Sequence, residues 1–245
     1  MTPLIHNYSI LAGRTVHWDT SDNKNWYLKN IQDPTAYQRL KDLGFLNTQI
    51  DYQYNSHGFR TAEFDRSFDA VCFGCSFTMG TGISSRDTWP EQLAAMTGLT
   101  VANLGHAGSS NDTAFRFADH YLKFLKPKYA VWLQTDRQRI ELIDSANAVT
   151  INILSTDKTN PCAGDYFIKG WFGSDENQQL NLRKNTLAFQ RICESLNIKH
   201  IILDRVTVPP HPPYPLGHAR DLTHPGAEVY KIIAENVMAL IGVKS

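Results

Sequence analysis

Ser76 lies in Val71-Cys72-Phe73-Gly74-Cys75-Ser76-Phe77-Thr78, a short apolar run that breaks into Gly-x-Ser. A serine hydroxyl is a poor nucleophile at neutral pH and needs a base within hydrogen-bond reach. Asp221-Leu222-Thr223-His224-Pro225-Gly226 supplies a candidate, with a carboxylate three residues before a histidine. An imidazole with an unperturbed pKa near ~6.5 is mostly neutral at pH 7 and can take the serine proton. A carboxylate on its other ring nitrogen fixes the tautomer and stabilises the imidazolium formed. Between the two lies Asn103-Leu104-Gly105-His106-Ala107-Gly108-Ser109-Ser110-Asn111, a second apolar strand breaking into a Gly/Asn-rich turn. Acyl transfer also needs N–H donors aimed at an oxyanion, and the amides of Ser76 and Gly108 are candidates. The chemistry suggested is serine-dependent acyl transfer.

Simpler readings stand beside this one. Gly-x-Ser after a strand is common turn chemistry. Asp221 or Thr223 could merely cap the last helix, with Pro225 in its first turn. Gly74-Cys75-Ser76-Phe77-Thr78 is not Gly-x-Ser-x-Gly, so the nucleophile elbow of α/β-hydrolases is not matched. Cys72-Phe73-Gly74-Cys75 has the spacing of a redox pair or half a zinc site, but no second such pair follows. No metal or organic cofactor is expected.

These residues need elements to hold them. Ala70–Phe73, Thr100–Leu104, Tyr129–Leu133 and His200–Leu203 read as buried strands, and Val149–Leu154 as a short extra one. Between them the spacing predicts helices. Thr88-Trp89-Pro90-Glu91 has capping-box chemistry, and Ser110 or Asn111 caps a helix running to Lys126. Leu182, Phe189, Ile192 and Leu196 mark a long helix, and Val229, Ile233, Val237 and Leu240 a final one. Alternating strands and helices with near-continuous apolar strands indicate an α/β fold, a parallel sheet covered on both faces. Ligands bind such sheets beyond the carboxyl ends of the strands. Ser76, Gly108 and Gln134–Arg137 all follow strands directly and so belong to one edge. Residues 1–65, rich in Asn, Asp, Tyr and Trp with one helical candidate at Pro34–Leu43, read as an extension packed on a core of residues 66–245.

The three blocks resemble those of the SGNH/GDSL hydrolases, flavodoxin-like three-layer α/β/α esterases and lipases with a mostly parallel sheet. Gly74-Cys75-Ser76-Phe77 is similar to the Gly-Asp-Ser-Leu block, which implies Ser76 as nucleophile. The second block implies Gly108 as an oxyanion donor, and the last implies Asp221 and His224 as its partners. Asn55-Ser56-His57-Gly58-Phe59-Arg60 is similar to the lead-in of some members. The likeness covers about Asn55 to Ser245. Cys75 replaces an aspartate of structural role. The family's third block has Gly-x-Asn-Asp, whose asparagine completes the oxyanion hole; here Leu133-Gln134-Thr135-Asp136-Arg137 stands instead. Gln134, Thr135, Arg137 or Asn111 remain open as the missing donor, and losing one such donor costs ~10²–10³ in turnover. His106, Asn111 and Arg137 are candidate substrate contacts. The resemblance implies a short acyl ester of a carbohydrate or polyol as substrate. A catalytically weakened glycan-binding protein and an acyltransferase are the alternatives.

Composition bounds the partners. In 245 residues, 24 basic and 24 acidic side chains cancel without like-charge blocks, so neither nucleic acid nor an anionic membrane is expected. Apolar residues make up 42%, enough for a substantial core. The stretch Met1–Asn7 lacks the basic and apolar regions of a signal peptide, no apolar run reaches the ~20 residues of a spanning helix, and four cysteines are too few for a disulfide framework. A cytoplasmic protein is the expectation.

Overall fold

The computed structural model describes residues 11–143, 148–152, 174–204 and 217–242. Its centre is a four-stranded parallel sheet of β3 (Ala70–Gly74), β4 (Val101–Gly105), β5 (Tyr129–Leu133) and β8 (Lys199–Leu203), in the order β4-β3-β5-β8. Side chains alternate across this sheet, and both sets are buried. Val71, Phe73, Ala102, Leu104, Ala130 and Trp132 enter one cluster, which also holds Phe117, Leu122 and Phe189 from α5 (Asn111–Leu125) and α6 (Asp175–Ser195). Ala70, Cys72, Val101, Val131 and Leu133 face the opposite way, against Trp89 and Leu93 of α4 (Trp89–Thr97) and Val229, Ile233 and Val237 of α7 (Ala227–Ile241). The result is a three-layer α/β/α core. Trp132 lies in it, 5.1 Å from the Phe189 ring centroid.

From β3 the chain passes to β4 on one side, then crosses to β5 on the other. Ligands in such sheets bind beyond the carboxyl ends of the strands at a reversal of this kind, and here the four-residue helix α3 (Ser76–Met79) begins beyond β3. The N-terminal part adds α1 (Lys24–Gln32), α2 (Pro34–Asp42) and an antiparallel pair, β1 (Thr15–Val16) with β2 (Tyr52–Gln53). Helix α1 has no buried residue, so no apolar stripe marks it in the sequence; Asn23 starts it by accepting from the Trp26 amide. A hairpin of β6 (Arg139–Ile143) and β7 (Ala148–Asn152) forms its own two-stranded sheet. The extra strand expected at Val149–Leu154 is thus part of β7, and residues 153–154 lie outside the described residues, as does the Pro209–Pro215 loop.

One capping expectation is corrected. Thr88 precedes α4 but makes no cap bond; its hydroxyl donates to the Ser85 carbonyl at 2.8 Å, drawn off by the short 3₁₀ turn Ser85–Asp87. A capping box does form at α5, where the Ser110 hydroxyl accepts from the Thr113 amide and Thr113 Oγ1 accepts from the Ser110 amide. Among the described residues no helix is long and apolar enough to cross a membrane.

Candidate active site

Ser76 is the first residue of α3, directly beyond β3. Two side chains fix this short helix. Asn103, on the neighbouring strand β4, donates to the Thr78 carbonyl at 2.8 Å. Arg60, from the Asn55–Arg60 lead-in, donates from Nη1 to the Gly80 carbonyl at 2.7 Å and from Nη2 to Ile83 at 2.8 Å. A helix this short has few internal bonds, so its carbonyls depend on such outside donors. Gly105 lets it approach: a Cβ there would lie 2.3 Å from the Met79 amide nitrogen.

The histidine arrives on a tight turn before α7. The turn begins at a bridge between His218 and Pro225, with the Ala219 amide donating to the His224 carbonyl at 2.9 Å. Leu222 takes a left-handed conformation (φ 58°), a strained choice for a γ-branched residue, and swings the chain back. Asp221 completes the turn with its own side chain: Oδ1 accepts from the amides of Thr223 (3.1 Å) and His224 (3.0 Å). Gly226, not Asp221 or Thr223, is the N-cap of α7, so the helix-capping reading of these residues is not what the structure shows.

The three groups meet in one line. Ser76 Oγ lies 2.8 Å from His224 Nε2, and His224 Nδ1 lies 2.6 Å from Asp221 Oδ2. An ionised carboxylate only accepts, so Nδ1 carries the hydrogen and Nε2 is left to accept from the Ser76 hydroxyl. Burial works against the charge on Asp221, but the bonds from His224 and Thr223 outweigh it and hold the carboxyl well below its ordinary range. The Phe77 ring packs 5.6 Å from the imidazole.

Gly108 has φ 74° in the turn after β4, and its amide makes no bond to another described residue. The same holds for the Ser76 amide. The other candidate donors are engaged elsewhere. Gln134 Nε2 donates to Thr186 Oγ1 on α6 at 2.9 Å. Asn111 clamps the backbone of Thr135, donating to its carbonyl (3.1 Å) and accepting from its amide (3.0 Å), while the Thr135 hydroxyl accepts from Arg139 at 3.2 Å. Arg137 pairs with Asp175 at 2.6 Å and lines a cavity of about 470 Å³ with Gln134, Thr135 and Leu182. The Gln134 and Asn111 side-chain amides thus tie α6 and α5 to the end of β5. The His106 and Phe117 rings stand near-perpendicular with centroids 6.3 Å apart, and burial lowers the His106 pKa. Cys72 and Cys75 are buried free thiols rather than a disulfide.

Contacts from the N-terminal part were not legible in the sequence. Ser21 Oγ donates to Asp221 Oδ2 at 2.7 Å, Trp26 Nε1 donates to the Asp221 carbonyl at 3.3 Å, and Asp22 forms a two-pronged pair with Arg220. No local pattern marks Ser21; only the carboxylate Asp22 beside it hints at a partner for Arg220. A larger cavity of about 660 Å³, lined by Phe115, Arg116, Glu141 and Lys184, includes none of the aligned residues, so geometry and not cavity size defines the site.

No protein-family model matches the chain, and no curated protein matches it in sequence. Among solved structures it is similar to TesA (13% identity, 70% of this chain and 97% of that one, TM-score 0.46). It is also similar to a member of the lipolytic protein G-D-S-L family from Veillonella parvula (14%, 71% and 97%, 0.38). A third is a variant of Axe2, an acetyl-xylooligosaccharide esterase from Geobacillus (14%, 75% and 100%, 0.39). At these identities and TM-scores the matches carry no weight for activity.

Proposed function

We propose that the protein is a serine ester hydrolase acting through an acyl-enzyme. The observation that carries this reading is the unbroken line from Ser76 Oγ to His224 Nε2 (2.8 Å) and from His224 Nδ1 to Asp221 Oδ2 (2.6 Å). Ser76 Oγ attacks the ester carbonyl as its proton passes to Nε2. Asp221 stabilises the imidazolium, and the amides of Ser76 and Gly108 receive the oxyanion. Nε2 then gives the proton to the leaving alkoxide. Water repeats the sequence, losing its proton to Nε2, and the acid leaves as Ser76 is restored. The substrate is read as a short acyl ester, such as acetate on a carbohydrate or polyol, in line with the family resemblance of the three blocks. Residues 1–65 are read as an extension of the core, supported by the Arg220–Asp22 pair that ties them to it.

With the Gln134 and Asn111 amides bonded elsewhere, the Ser76 and Gly108 amides are read as the oxyanion donors, and Thr135 Oγ1, which accepts from Arg139, keeps its own hydrogen to give. The test is p-nitrophenyl acetate hydrolysis together with fluorophosphonate labelling mapped by mass spectrometry. Label on Ser76, and loss of at least about 10³ in kcat in S76A and H224A, are the expected results. Full turnover in either variant defeats the assignment. Absence of label on the folded protein points to a glycan-binding protein instead.

A further inference from the structure

We propose that Ser21 is a positioning residue for the Asp221–His224 pair, delivered to it by the N-terminal turn 19–23. This rests on the hydrolase reading above. The Ser21 hydroxyl donates at 2.7 Å to Asp221 Oδ2, the same oxygen that accepts His224 Nδ1–H, and lies 3.4 Å from Nδ1 itself. Its placement is rigidly determined. Asp22, the next residue, accepts from Arg220 Nε (2.8 Å) and Nη2 (2.7 Å), and both side chains are at most 2% exposed. Tyr52 adds a hydroxyl bond to Asp22 at 2.5 Å, and the Gly82 amide in turn donates to that hydroxyl at 2.7 Å. Arg220 also donates to the carbonyls of Thr48 and His17 and stacks 4.0 Å from the Trp18 ring. Arg220 is the residue before Asp221. One buried ion pair thus fixes the turn that carries Ser21 and the strand of chain that carries the carboxylate.

The hydroxyl has two effects on the pair. It holds Asp221 Oδ2 in line with Nδ1, and it draws negative charge off that oxygen. Without it, Oδ2 keeps more charge to stabilise the imidazolium, so His224 holds its proton to higher pH and is the free base over a narrower range. The other groups around the pair do not compensate. Thr223 Oγ1 already donates to Oδ2 at 2.7 Å, the Phe77 ring carries no charge, and the Tyr230 hydroxyl and Cys75 thiol are buried, with burial pushing the Tyr230 hydroxyl up. Arg220 is committed to Asp22.

The experiment compares wild type, S21A and S21T. Two readouts serve: the acid limb of kcat/KM for p-nitrophenyl acetate, and the downfield proton resonance of the imidazole N–H bonded to Asp221. S21A is expected to lower kcat by about 5–30-fold with KM changed less than about 2-fold, and to move the acid limb up by about half a pH unit. The resonance shifts with it. S21T keeps a hydroxyl and is expected to return the limb and the resonance to within experimental error of wild type. A merely structural role would lower thermal stability and leave limb and resonance in place; that result overturns the proposal, as does an S21T indistinguishable from S21A. If wild type hydrolyses nothing, the hydrolase reading fails, while the resonance in S21A against wild type still decides the Ser21–Asp221 pairing.

Discussion

Removing the Arg220 guanidinium tests how strongly the N-terminal part is bound to the site. Arg220 and Asp22 are 2% and 1% exposed and share two bonds, at 2.8 and 2.7 Å. In R220M the Asp22 carboxylate keeps, among the described residues, the Tyr52 hydroxyl alone, in a setting closed to water. Breaking one partner of a buried pair typically costs about 3–5 kcal/mol, mostly from the uncompensated charge left behind. The carbonyls of Thr48 and His17 also lose a donor, but both residues are exposed, so water replaces it and adds little. We therefore expect R220M to lose about 3–5 kcal/mol in urea unfolding followed by tryptophan fluorescence, with the slope m unchanged. The double variant D22N/R220M removes the stranded charge while keeping an acceptor for Tyr52. It should recover at least about 2 kcal/mol of that loss. A loss below about 1 kcal/mol in R220M, or a double variant no better than the single, would refute the claim that this pair locks the turn to the Asp221–His224 segment.

Two glycines in the same stretch should respond to very different degrees. In G105A the new Cβ would meet backbone, 2.3 Å from the Met79 nitrogen, so α3 must shift; activity falls by at least about 10²-fold and thermal stability drops sharply. At Gly108 nothing lies within 4 Å, so G108A costs only the left-handed backbone, about 1–2 kcal/mol, read in the same melting experiment. Lys128, followed by the Thr100 amide and hydroxyl, lowers Asp69 to about 2 from 3.8. A depressed carboxyl contributes stability above its unfolded value that is lost as pH falls through its folded one. D69N should therefore flatten the stability curve between pH 4 and 2 relative to wild type, measured by urea midpoints at each pH. Burial raises the thiol pKa of Cys72 well above its ordinary value and that of Cys193 to about 12. Neither should react with a thiol reagent at pH 8 until denaturant is added, as peptide mapping would show; rapid native labelling of Cys72 would revive the redox reading of Cys72-x-x-Cys75.

Much of the fold is written in local pattern. Four apolar runs became the four strands of the main sheet, because strands buried on both faces need no alternation and leave continuous hydrophobic sequence. On α5, Ala114, Phe117, Ala118, Tyr121, Leu122 and Leu125 recur three and four residues apart and are all buried. The order of strands and helices placed Ser76, Gly108 and Gln134 at one sheet edge, and Asp221-x-x-His224 announced its own turn. What these patterns could not supply was direction. Gln134 follows its strand as expected, yet its amide points to Thr186 on a helix that begins some forty residues later. Thr88 has the right spacing for a capping box, but a nearer carbonyl at Ser85 takes its hydroxyl.

The residues surrounding the proton path divide along the same line. Spacing of three or four residues is visible in sequence because a single turn or helix face enforces it, and this covers Asp221 with His224. Ser21 and Asp221 are separated by the entire core, as are Asp22 and Arg220, and Arg60 reaches the far end of α3 from a loop. Their meeting depends on how the layers stack, and no local periodicity records it. The chain by itself marked Ser76, Asp221 and His224 as candidates; tertiary packing chose which buried charges and hydroxyls hold them still, because desolvated hydrogen bonds acquire their strength only once the surrounding surfaces close.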